Sequence, residues 1–158
     1  MTAKDGDDEV RLQACIDRLA PKIQKLGRAV RAAVRKRFPT ANELGYDYGD
    51  FVVIGYSPND KGIDAVVAIA LRATGVFLYF SQGPQLPDPK QMLRGTGKQV
   101  RFIELADAKQ LADPDVEALI TATIAQARVP LAAQGKGRLI FKASGAKKNR
   151  RSAQKAKA

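Results

Sequence analysis

The chain has 158 residues, 27 lysines and arginines against 16 acids, a net charge of +11, one cysteine and no histidine. Lacking histidine, it cannot build a Ser-His-Asp triad, a Cys-His pair or a histidine metal site, and one cysteine makes neither an internal disulfide nor a thiolate zinc cage. A chain of this length buries roughly 70% of its unfolded surface, so a core needs no covalent or metal staple.

Residues 1–7 are polar and are expected to be a flexible terminus. From Asp8 to Ala20, Val10, Leu12, Cys15, Ile16 and Leu19 recur near helical spacing. Pro21 opens a second helix, "PKIQKLGRAVRAAVRKRF", whose Ile23, Leu26, Val30, Ala33 and Val34 fall within about 100° of arc. Its other face carries seven cations between 22 and 37 and no acid, which reads as a solvated surface or as part of an anion-binding one. Phe38-Pro39 ends it. "NELGYDYGD" reads as a polar connection, in which Glu43, Asp47 and Asp50 have no visible pairing for acid/base work.

A strand-rich middle follows. Segments 50–57, 63–72 and 76–81 are β-branched or aromatic and are joined by turns too short for crossovers, so they predict an antiparallel meander. Residues 82–90 hold three prolines and predict a loop, with one helical turn expected over "PKQML". "VRFIEL" (100–105) predicts a fourth strand. Residues 113–128 predict a third helix, with Asp113 as cap and Pro114 at the first position. "GRLIFKAS" (137–144) is a candidate last strand. From Gly145 no large apolar residue remains, so 145–158 is expected to be a disordered basic tail after a single domain over 8–144. Together these elements predict a two-layer α+β domain: an antiparallel sheet of about four to five strands, with N- and C-terminal helices packed on one face.

Two stretches are candidate sites. "RGTGKQVR" (94–101) crowds glycine, lysine and arginine as phosphate loops do, but it lacks the Walker A spacing and runs into a strand. It reads as a glycine-supported turn, or as a backbone nest for an anion made by Arg94, Gly95, Thr96, Gly97, Lys98 and Arg101. The C-terminal end carries the stronger signal. From Arg128 onward there are ten cations and no acid, which leaves 17 cations and 16 acids in residues 1–127. Such asymmetry points to a polyanion, with Lys147, Lys148, Arg150, Arg151, Lys155 and Lys157 as expected nucleic-acid contacts, or else to a tail that keeps the chain dispersed. No RNA-reading aromatic motif accompanies it.

"SQGPQLPDPKQMLRGTGKQVRFIEL" resembles the signature segment of the YdhG-like family of unknown function. The likeness rests on Gly83, Leu86, Leu93, Gly95, Thr96, Gly97, Lys98 and Arg101, and upstream on Glu43 and Gly49. The resemblance implies a YjbR/CyaY-like α+β fold related to frataxin, and implies no reaction. Frataxin handles iron through an acidic helix ridge, whereas the strongest helix here is cationic. The expectation is therefore a non-enzymatic bacterial domain of the cytoplasm that binds an anionic partner, nucleic acid through its tail, with no catalytic residues, cofactor, metal or membrane contact. The alternatives are a small-ligand pocket at the Gly-Thr-Gly-Lys loop and a frataxin-like iron carrier.

Overall fold

The computed structural model describes residues 3–144. The tail over 145–158, and the contacts expected of Lys147, Lys148, Arg150, Arg151, Lys155 and Lys157, lie outside the described residues.

Helix α1 spans Ala3–Asp17 and α2 spans Pro21–Arg37. The first starts at Ala3, five residues before the expected Asp8. The acids Asp5, Asp7 and Asp8 lie near its N-terminus, where the backbone dipole favours negative charge. Asp8 itself is buried and accepts the backbone N–H of Phe141. Proline occupies the first turn of α2, and Phe38 closes it by donating its N–H to Val34.

The sheet has six strands in the order β5-β4-β3-β2-β1-β6: β1 Asn42–Asp47, β2 Val52–Ser57, β3 Val67–Arg72, β4 Gly75–Phe80, β5 Arg101–Leu105 and β6 Leu139–Ser144. The meander expected from the sequence is β2-β3-β4, extended by β5. Two features depart from expectation. The polar stretch "NELGYD", read as a connection, is the strand β1. Its Asn, Glu, Gly and Asp are poor strand formers, but Leu44 pairs with Gly55 on one side and Ile140 on the other, so neighbours on both flanks satisfy its backbone. The turn into β2 uses Gly49 at φ +89°, with Asp47 accepting the Gly49 N–H at 2.8 Å.

The sheet is also mixed rather than antiparallel. β6 runs parallel to β1, which requires a long crossover. Helix α3 (Pro114–Ala125), capped by Asp113, supplies it between the two edges. Among the described residues the last element is therefore a strand. No helical turn forms at "PKQML". The Asp88 carboxylate accepts the N–H groups of Met92 and Leu93 at 2.8 Å each and holds an irregular loop.

Strand register separates two faces. Val52, Ile54 and Tyr56, with Val67, Ile69, Leu71, Leu78 and Phe80, turn toward the helices and are buried. Ile16, Val30 and Val34 from the first two helices join the same core, as do Val116 and Ile120 of α3. α2 approaches β3 closely at Gly27, where a Cβ would overlap the Leu71 side chain. On the opposite face, among the described residues, the short helical turn Gly62–Asp64 lies beside Tyr46. Among the described residues no helix is long and apolar enough to cross a membrane.

Candidate functional site

The glycine loop is built from its own ends. Arg94 and Phe102 exchange backbone hydrogen bonds of 2.7 and 3.0 Å, which pins residues 95–101 into a closed excursion. Gly95 has φ +101°, as a glycine turn requires; Gly97 does not take the left-handed region. The Arg101 Nε donates to the Gly97 carbonyl at 3.0 Å, and Arg94 lies 3.7 Å from Glu104. Two of the three cations expected to hold an anion thus have partners inside the fold. Thr96 and Lys98 are exposed. Lys98 alone of the expected six lines a cavity, of about 290 Å3, together with Gln99 and, from across it, Asp64 and Arg128. Asp64 pairs with Arg128 at 3.4 Å. Of the six expected residues, Lys98 is the one that stands at this cavity wall.

The cationic helix keeps the solvated face expected of it, with only Arg31 of its seven cations buried. Four of its seven cations are partnered within the chain. Arg28 pairs with Asp17, Arg31 with Glu9 and Glu43, Arg35 with Glu43, and Arg37 with Glu117. The acids come from α1, β1 and α3, so the helix acts as an ionic hub that ties three elements together. Lys22, Lys25 and Lys36 remain exposed.

The deepest part of this hub is a polar cluster that the sequence did not disclose. Arg31 is 6% and Glu43 2% exposed, and they meet fork to fork: Nε and Nη2 donate to the two carboxylate oxygens at 2.9 Å each. The fully buried Tyr56 donates its hydroxyl to the same carboxylate at 2.9 Å, and Arg35 approaches to 3.3 Å. Burial works against the Arg31 charge, yet the hydrogen bonds to Glu43 and Glu9 outweigh it and hold the guanidinium's pKa above its usual value. Burial, then the neighbouring Glu43 charge, pushes the Tyr56 phenol well above its ordinary range. Glu9 is also partly desolvated, but Arg31 wins and keeps its carboxyl below the usual value. With both oxygens of Glu43 engaged, the group serves as a counter-ion and not as a base open to substrate. No sequence signal marks the pair: at ~100° per residue Arg31 lies about 60° beyond Val34, outside the apolar arc.

Beside this cluster is a cavity of about 230 Å3 lined by Arg35, Phe38, Pro39 and Glu43 on one side and residues 135–138 on the other. Gly137 donates to the Pro39 carbonyl at 2.9 Å and packs where any Cβ would overlap the Ala41 backbone, which brings Lys136 and Arg138 to the rim. Neither cation pairs with an acid among the described residues. There, no three of His, Cys, Asp and Glu gather where they could hold a metal ion.

The fold and this site define a small α+β domain with a mixed six-stranded sheet and a buried arginine–glutamate–tyrosine cluster. No family model, no curated protein and no solved structure matches the chain.

Proposed function

We propose that the chain is a non-enzymatic domain that binds the phosphate backbone of nucleic acid through its C-terminal end. The observation that carries this is the run of ten cations and no acid from Arg128 onward. Of its described members, Arg128 pairs with Asp64, while Lys136, Arg138 and Lys142 have no acidic partner among the described residues; four cations of α2 are paired inside the fold. Unpaired cations release the counterions of a polyanion on binding, and paired ones do so far less. The chemistry is electrostatic and indifferent to sequence. The cytoplasm is the expected compartment, in keeping with a single cysteine. In this reading the domain is of the YdhG-like, YjbR/CyaY-like type. Support comes from two helices ahead of an antiparallel meander and from the glycine loop leading into a strand.

The test compares the full chain with one ending at Ser144 in duplex DNA binding over a salt series. About five neutralised phosphates give a log K versus log salt slope near −4 to −5, and the shorter chain loses most of it. An unchanged slope would remove the tail from the mechanism.

One observation favours a second reading. Lys98 of the Gly-Thr-Gly-Lys loop and Arg128 face one cavity of about 290 Å3, which suits a small anionic ligand. Arg101, expected to share that role, does not line it. The third reading, iron carriage as in frataxin, has no acidic cluster among the described residues to rest on.

A further inference from the structure

We propose that the face of the sheet opposite the core carries a binding groove for a small apolar carboxylate, anchored by Arg72. This is independent of the nucleic-acid reading above.

The groove follows from strand register. On β3, Val67, Ile69 and Leu71 turn to the core, so Ala68, Ala70 and Arg72 turn outward. Ala68 stands opposite Tyr79, and Ala70 opposite Val53. Ala68, partly exposed, and Ala70, wholly buried beneath it, leave a trough of about 250 Å3, walled by Val53, Tyr79 and Val100. Tyr79 is held in place by Phe102, 5.2 Å away between ring centres. Val100 is one of the few large apolar side chains that is substantially exposed, at 41%. The lining is hydrocarbon, and its one charge is Arg72. The Ser81 hydroxyl, also at the wall, is already donated to the Val66 carbonyl at 3.0 Å.

Among the described residues Arg72 is the one arginine with a buried, unpartnered side-chain nitrogen. It belongs to no ion pair among the described residues, and its Nε is buried there without an acceptor. A buried orphan donor carries a desolvation cost that an acceptor would remove. The guanidinium lies 4.3 Å over the Phe51 ring, and Phe51 stacks on Tyr48 at 4.8 Å. That contact uses the flat face of the guanidinium, and no ion pair among the described residues uses its N–H groups. A carboxylate matches the N–H edge of a guanidinium by taking two parallel hydrogen bonds, and the charges are complementary. A phosphate would bring more charge than a hydrocarbon trough with one cation can desolvate. The occupant is therefore a monocarboxylate with a compact apolar body.

The test uses the full chain with benzoate and the neutral isostere benzamide, read by calorimetry and thermal shift. Benzoate should bind saturably, and benzamide about tenfold more weakly or worse. Arg72→Met should abolish the preference for benzoate while raising Tm without ligand, because the orphan donor is gone. Ala68→Leu, which fills the trough, should abolish binding of both. Equal binding of the two probes, no binding of either, or benzoate binding retained in Ala68→Leu would each overturn the proposal. So would self-association lost in Ala68→Leu, which would make the face a contact between copies. Binding of a single-stranded oligonucleotide there, but of no free carboxylate, would equally hand it to nucleobases. If Ala68→Leu does not fold, the probe pair on Arg72→Met decides alone.

Discussion

Arg31 and Glu43 join α2 to β1 through two hydrogen bonds of 2.9 Å inside the core, where both residues are almost wholly excluded from water. Removing one partner leaves the other charged and buried. Glu43→Leu should cost about 3–5 kcal/mol, a fall in Tm of roughly 10 °C or more for a chain of this size. Replacing both by leucine should cost less than Glu43→Leu alone, since no orphan charge remains. Urea melts of the two single variants and the double variant measure the difference. A double variant at least as unstable as Glu43→Leu would mean that the pair adds net stability.

Ion pairs of α2 and the buried Tyr56 make stability depend on pH. The Glu9 carboxyl is depressed despite burial because of Arg31, and Glu117 is depressed chiefly by its hydrogen bonds from Arg37. With folded values below unfolded ones, their contribution is present above about pH 4.5 and is lost as pH falls through the folded values. Tyr56 has the opposite sign. Burial raises its phenol, so its contribution is complete below about pH 10 and is lost as pH rises toward the folded value. Stability against pH should show both limbs, and Tyr56→Phe should flatten the alkaline one. The hydroxyl's hydrogen bond to a charged group puts its loss at about 1.5–3 kcal/mol near neutrality.

Close approach of backbone accounts for two glycines, and they should respond differently to substitution. A Cβ at Gly27 overlaps the end of the Leu71 side chain, so Gly27→Ala should destabilise by about 1–3 kcal/mol despite better helix propensity. Leu71→Ala in that background should recover part of the loss. At Gly137 the overlap is with the Ala41 carbonyl, and no side-chain truncation relieves it. Thermal melts of Gly137→Ala, paired with any nearby truncation, should show no rescue.

The exposed lysine of the glycine loop separates two binding readings. Lys98 makes no hydrogen bond or ion pair among the described residues, so Lys98→Ala should change stability by no more than about 0.5 kcal/mol. Under the nucleic-acid reading it should leave the salt slope nearly unchanged. A large loss of binding of a small phosphorylated probe in the same variant would favour the cavity shared with Arg128.

The legible parts of the sequence were local ones. The apolar face of α2, the Asp113 cap, the antiparallel meander and the glycine turn at Gly95 follow from periodicity or turn chemistry acting over a few residues, although the strand expected over 63–72 starts only at Val67, after a short helical turn at Gly62–Asp64. The three helices and the α+β class needed nothing more than the chain itself.

What only the tertiary structure decided is which distant groups meet. β1 is a strand because β2 and β6 flank it, although its residues by themselves favour a turn. The cationic helix reads as an unpaired surface until acids from α1, β1 and α3 close on it, one of them, Glu117, from 80 residues away. A carboxylate on a polar segment and an arginine outside an apolar stripe carry no mark of each other in sequence, because Coulomb attraction depends on separation in space. Composition alone determined that no histidine or disulfide chemistry takes part and that positive charge accumulates toward the C-terminal end. The fold determined that much of the remaining charge neutralises itself inside the domain, because burying a charge is tolerable only beside its opposite.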